Sequence, residues 1–200
     1  MQGSRIDYSV ILDLIPAGAK ILDLGCGDGS LLSQLVQAKG VTGRGIEISE
    51  EGVHACIAKG LTVLQGDIDG GLRDYPDRSF DYVILNQTIQ AVKKPDVVLS
   101  EILRVGGKGV VGIPNFAFWR FRFFLLFNGR MPKTDFLPYE WYNTPNIHFC
   151  SVLDFDEYCR KNAIAVERRI CLSTERGGRV LRGVRPNLFA ESAVYLLSKK

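Results

Sequence analysis

The sequence is short of every pattern that would hold a metal ion or a disulfide framework. Five cysteines occur, Cys26, Cys56, Cys150, Cys159 and Cys171, but the count is odd and no CxxC pair exists, which argues against both. Histidine is scarcer still, at two residues. No apolar run approaches the roughly 18 residues needed to span a bilayer, so no membrane association is expected. The opening MQGSRIDYS has no basic stretch leading into an apolar one, so no secretory leader is expected and a reduced cytoplasm is the expected home. An excess of one charge is lacking too: a formal +3 over 200 residues is too small to argue for nucleic acid. What is left is an ordinary globular composition, 46% hydrophobic, in a chain long enough to bury a sizeable core. It reads as a single domain, 1–200, carrying an insertion.

Apolar runs alternate with helical patterns up to about residue 113. Ile6, Val10, Ile11, Leu14 and Ile15 share one helical face that Pro16 and Gly18 end. Strands are expected at 20–24, 42–48, 61–65, 80–85 and 109–113, with helices at 30–38, 50–59 and 95–105 between them. Strands separated by helices of about ten residues indicate βαβ units and a parallel sheet covered on both faces. Beyond Pro114 the rhythm breaks. Residues 115–150 read as the insertion, 152–160 as a helix, and 165–171 and 193–198 as closing strands.

The stretch ILDLGCGDG places Gly25, Gly27 and Gly29 directly after the first strand and before a helix. In a doubly wound sheet, ligands bind at the carboxyl ends of the strands, and glycines there let the backbone approach them. Two ligands compete. A dinucleotide fingerprint, GxGxxG, would need its third glycine at Ser30, and Asp28 would sit beside a pyrophosphate. S-adenosylmethionine carries a sulfonium and an ammonium group, which acidic neighbours suit. Asp23 can orient the loop or meet the amino group through water. Glu47, ending GIEIS, can accept from both ribose hydroxyls, a contact shared with NAD. Asp67, in QGDID, can accept from the adenine amine while Ile68 packs on the ring, with Ile48 beside Glu47. Taken alone Asp67 also reads as a helix cap; with Glu47 and the glycines it favours S-adenosylmethionine or S-adenosylhomocysteine.

Residues after the fourth strand fall at the same carboxyl edge of the sheet as the glycine loop, and here they are Asn86, Gln87 and Thr88. Asn86 is a candidate for contact with the methionine moiety. Neither an NPPY-type tetrad nor a Pro-Cys nucleophile is present, so no catalytic residue is assigned. His54 reads as surface. His148, in TPNIHFCS, reads as a structural histidine with a general base as the alternative.

ILDLGCGDG, GIEIS, QGDID and FDYVILNQT resemble the motifs of class I S-adenosylmethionine-dependent methyltransferases over roughly residues 15–115. PNFAFWRFRFFLLFNGRMP, LPYEWYNTPNIHFCSVLDF and NLFAESAVYLL resemble the methionine-biosynthesis MetW family over nearly the whole chain. The first resemblance implies an α/β, Rossmann-like fold with a seven-stranded, mostly parallel sheet whose last strand is inserted antiparallel. The second implies a role in methionine synthesis as accessory or regulatory partner of homoserine O-acyltransferase. An active methyltransferase on an unidentified small molecule is the alternative. Self-association as a homodimer stays open.

Six of the eleven phenylalanines fall between Phe116 and Phe127, interleaved with Trp119, Arg120 and Arg122. At helical spacing this segment is apolar nearly all round and must be covered by something. It reads as a lid helix packed on 132–150, or as a protein interface anchored by Phe116, Trp119, Arg120, Arg122 and Phe123. A membrane-surface helix would want a distinct polar face, which it lacks. Residues 168–185 hold six arginines and one acid, Glu175, and read as a solvated hairpin or an anion-binding segment. No aromatic residue is interleaved with them, so RNA binding is not expected.

Overall fold

The computed structural model describes residues 5–133, 138–173, 179–181 and 185–200. Its strands are β1 (Lys20–Leu24), β2 (Thr42–Glu47), β3 (Thr62–Gln65), β4 (Phe80–Asn86), β5 (Gly106–Pro114), β6 (Ile164–Ser173), β7 (Arg179–Leu181) and β8 (Ser192–Lys199). The helices are α1 (Ile6–Leu14), α2 (Ser30–Lys39), α3 (Glu50–Ala58), α4 (Pro95–Val105), α5 (Trp119–Asn128), α6 (Val152–Lys161) and the single turn α7 (Pro186–Phe189). Short 3-10 turns at Ile68–Gly70 and Ile89–Ala91 follow β3 and β4.

One sheet runs in the order β3-β2-β1-β4-β5-β8-β6-β7. β1 to β5 pair in parallel, and β8 enters antiparallel between β5 and β6. The expected seven strands become eight among the described residues. β7 lies inside the arginine-rich segment and pairs with β6 at Cys171↔Leu181, Leu172↔Val180 and Ser173↔Arg179. The rest of that segment, 174–178 and 182–184, lies outside the described residues.

The period-two alternation of the central strands sends neighbouring residues to opposite faces. Ile21, Ile84, Val110 and Val194 pack with Val10, Ile11 and Leu14 of α1 and Leu31, Leu32 and Leu35 of α2. Leu22, Val83, Leu85 and Val111 pack on the other face with Val98, Leu99 and Ile102 of α4 and Val152, Phe155 and Cys159 of α6. Burial on both faces explains why these strands are largely apolar at consecutive positions. Strand order reverses between β1 and β4, and that reversal opens a crevice beyond their carboxyl ends. Among the described residues no helix is long and apolar enough to cross a membrane.

Candidate functional site

The glycine triplet leaves β1 at the crevice, and all three glycines adopt left-handed φ values, +66°, +56° and +73°. Two of them differ in what surrounds them. A Cβ on Gly29 would lie 2.5 Å from Leu61 Cδ1 and 2.7 Å from Cys56 Sγ, so this glycine lets the loop pack on α3. A Cβ on Gly27 would meet nothing within 4 Å. That open side is where a ligand can lie against bare backbone. Gly25 and Cys26 donate their N–H groups to the Ile46 carbonyl at 2.8 and 3.1 Å, which ties the loop to β2.

Cys26 sends its thiol inward, 3.7 Å from Cys56 Sγ, into space that Gly45 leaves by having no side chain. Burial first, and the nearby Asp23 charge second, push the Cys26 thiol well above its ordinary value, so it is inert packing. Asp28 turns away from the loop to Lys59, whose Nζ donates to it at 2.8 Å, and Ser30 Oγ donates at 2.6 Å. Those contacts hold its carboxyl down at about 2.

Beneath the loop lie two acids. Glu47, 8% exposed, accepts from the Gly27 N–H through Oε2 at 2.8 Å and from the Ser49 N–H through Oε1 at 2.9 Å. Its carboxylate fixes the loop to the end of β2 and keeps further lone pairs for other donors. Asp23, 2% exposed, has its Oδ2 buried with no hydrogen-bond partner. Burial, then the Glu47 charge, raises its carboxyl to about 7. A buried orphan acceptor next to a second carboxylate favours a cationic or hydrogen-bond-donating visitor.

The rest of the expected ligand set surrounds this floor. Ile48 stands 63% exposed just past the end of β2. Asp67 is exposed and accepts from the Asp69 N–H at 2.9 Å, capping the turn that follows β3. Its capping role is therefore real, and Oδ1 is the oxygen engaged. Ile68 is half-buried against the core. Asn86 is less available than its position promised: its Nδ2 donates to Asp7 Oδ2 at 2.8 Å, while Arg5 donates to the same carboxylate at 2.7 Å. Asp7, buried on α1, is the group sequence reasoning missed, because its partner lies 79 residues away.

The loop after β4 runs beside the glycine loop, where Thr88 would touch a Cβ on Gly25 at 2.7 Å. Gln87 takes φ +56°, an uncommon conformation for a side chain of its kind. The Gln90 carbonyl accepts from the N–H groups of Ile147 and His148 at 2.7 and 3.0 Å, so the 147–148 strap lies across this loop. Gln90 Oε1 and His148 Nε2 are both buried without partners. His54 is on the surface, 4.0 Å from Glu50. Among the described residues no cluster of three metal-binding side chains forms.

The insertion differs from its expected form. Phe116 precedes α5 and packs edge-on to Phe149, ring centroids 4.8 Å apart. Trp119 is half-buried between Phe118 and Phe123, Arg120 lies over the Trp119 ring at 5.6 Å, and Arg122 donates to the Ala117 carbonyl. Phe121 is the buried residue of the helix, and from Phe123 onward the side chains are exposed, so α5 is not a helix covered along its length. Of the arginines with described side chains in 168–185, Arg169 pairs with Asp156.

A family model described as methionine biosynthesis protein MetW matches residues 5–197. The bifunctional methionine biosynthesis protein MetXA/MetW of Rhodopirellula baltica is 34% identical over 199 residues, covering 95% of this chain and 32% of that protein. A demethylmenaquinone methyltransferase of Bacillus licheniformis is 30% identical over 152 residues, covering 68% of this chain and 66% of that one. The chain thus spans about a third of the first relative and just under two thirds of the second. Among solved structures, one described as a SAM-dependent methyltransferase, possible histamine N-methyltransferase, from Thermotoga maritima superposes with a TM-score of 0.67 at 21% identity, covering 98% of this chain and 90% of that one. The architecture is the Rossmann-like class I methyltransferase fold.

Proposed function

We propose, for a chain that belongs to the MetW family of methionine biosynthesis proteins, that it binds S-adenosylmethionine and acts in the cytoplasm as an accessory or regulatory partner of homoserine O-acyltransferase. The chain is read as one domain whose insertion, about 115–150, serves the partner. The observation that carries the cofactor reading is the acidic floor: Asp23 with an orphaned buried oxygen and Glu47 bonded to Gly27, under a loop whose open side is bare backbone. These residues fit a ligand with an ammonium group and a ribose. Glu47 would receive ribose hydroxyls, Asp67 the adenine amine, Ile48 and Ile68 the ring, and Asp23, with the backbone of Gly25, Cys26, Gly27 and Gly29, the methionine end near Asn86. The bound group would supply an electrophilic methyl on its sulfonium.

The partner reading draws on the bifunctional relative, whose name joins MetXA and MetW in one chain. Joining two modules raises their effective concentration, a device suited to components that work in contact. A methionine derivative held by a partner of an early enzyme would couple the pathway's product to its supply. Titration calorimetry with S-adenosylhomocysteine, with NAD as the control, tests the cofactor. Acyltransferase kinetics with and without this chain test the partnership. Heat with NAD and none with S-adenosylhomocysteine would reject the first, and unchanged kinetics the second.

A second reading, an active small-molecule methyltransferase, is favoured by Gln90 Oε1 and His148 Nε2, two buried unpaired atoms around the loop after β4. Transfer of label from S-adenosylmethionine to cell metabolites would establish it.

A further inference from the structure

The outer half of α5 carries Phe123, Phe124, Leu125, Leu126 and Phe127 in succession, so apolar groups cover every side of the helix. All five are exposed, Leu126 and Phe127 to 72% and 75%. The inner turn is anchored by Phe121, buried with Phe118 in a small cluster that Phe116 and Trp119 edge. The helix is therefore fixed at its base and projects beyond it. Contiguous exposed apolar surface of this kind marks an interaction site. Its charge is one-sided: residues 115–133 contain no Asp or Glu and four basic residues, Arg120, Arg122, Arg130 and Lys133. Lys133 is paired with Glu140 at 2.7 Å, and Arg122 and Arg130 are exposed.

We propose, resting on the partner reading above, that this outer half of α5 is the element that docks on homoserine O-acyltransferase. Phe123, Leu126 and Phe127, at i, i+3 and i+4, enter an apolar groove, and carboxylates on its rim face Arg122 and Arg130. A membrane surface suits the segment poorly, since an interfacial helix keeps a polar face in water and residues 123–127 offer none. A second copy suits it poorly too. An isologous contact would bring two sets of arginines together with no acid on the segment to separate them.

The test uses the acyltransferase of the same organism, purified separately, with binding measured to this chain and to its Leu126→Ser, Phe127→Ser double variant. Both side chains are exposed, so the variant should keep the parent's melting temperature and S-adenosylhomocysteine affinity. Its affinity for the acyltransferase should fall on the order of 30-fold or more, as for a central interface anchor. Arg130→Glu should flatten the salt dependence of association. A double variant that binds as tightly as the parent refutes the face and leaves the partner reading standing. A parent that shows no binding refutes the partner reading, and this proposal with it. Sedimentation with phosphatidylglycerol vesicles, or a dimer, lost in the double variant would show that the occupant named here is wrong.

Discussion

Replacing Asp23 by Asn tests the acidic floor of the crevice directly. Burial and the Glu47 charge raise its carboxyl to about 7, against an ordinary value of 3.8. In the unfolded chain the group loses its proton near pH 4, whereas in the folded chain it keeps it to about pH 7. Across that window the folded state holds the extra proton, so stability is greatest below the unfolded value and is lost as pH rises through the folded one. The full difference is about 4 kcal/mol at about 1.4 kcal/mol per pH unit, and roughly 2–3 kcal/mol of it accrues between about pH 5 and pH 8. For a domain of this size that corresponds to a fall of about 5–10 °C in melting temperature. In Asp23→Asn that contribution disappears, so the difference between the two chains' pH profiles isolates it from every other titrating group. A bound ammonium favours the ionised form. Affinity for S-adenosylhomocysteine should then rise on the order of tenfold between about pH 6 and pH 8 in the parent and stay flat in the variant. Calorimetry and thermal melts over that range read both effects. Parallel curves for the two chains would show that Asp23 neither titrates in this window nor faces the ligand.

Glu47→Ala removes the acceptor for the Gly27 and Ser49 N–H groups, so it should lower both the melting temperature and the cofactor affinity, the latter by roughly 1–3 kcal/mol. Asp67→Ala should cost a similar amount of affinity while leaving the melting temperature nearly unchanged, because the side chain is exposed and caps a three-residue turn; calorimetry and melting separate the two. Gly27→Ala should cost the fold roughly 1–2 kcal/mol for its left-handed backbone and cost the ligand more, since the methyl group occupies the loop's open side. Gly29→Ala should show the opposite ratio, because its methyl must displace Leu61 and Cys56.

The sequence made the central sheet legible because the inner parts of β1, β4 and β5 are buried on both faces and read as short, largely apolar runs. The glycine loop was legible for a related reason: only glycine takes three left-handed positions in five residues without cost. β7 escaped because Arg-Val-Leu has neither the length nor the alternation of a strand; its structure comes from pairing with β6, which local pattern does not encode. The same limit applies within the crevice. Glu47 was read for what it could offer a ribose, yet its present bonds are to backbone amides, one of them 20 residues away. Asn86 was read as facing the ligand, and the carboxylate that claims it lies on α1. Residue type locates a polar group at a strand end, but its partners depend on which elements fold over it. For α5, composition showed a helix needing cover, and only the fold shows that its first turn receives it and its last turns do not.

Crevice and insertion are joined by a short run of contacts, and that run bears on whether ligand and partner can influence one another. Thr88 abuts Gly25; two residues on, the Gln90 carbonyl holds the N–H groups of Ile147 and His148. The Cys150 carbonyl then accepts from Phe116, three residues before α5, at 3.1 Å. The glycine loop and the base of the aromatic helix are thus linked through one side-chain contact and a run of backbone bonds, which a ligand seated against Gly27 would stiffen or shift. Contact alone does not establish coupling, and a thermodynamic measurement decides it. If S-adenosylmethionine changes the affinity for the acyltransferase by some factor, the acyltransferase must change the affinity for S-adenosylmethionine by the same factor. Titrating the ligand into this chain alone and into its complex with saturating acyltransferase should yield two dissociation constants that differ about 5-fold or more, the low end of ordinary allosteric coupling. His148→Ala, which keeps the backbone bond to Gln90 but opens the strap above it, should reduce that ratio. Equal constants for the free chain and the complex would mean that the two sites share a scaffold and nothing else.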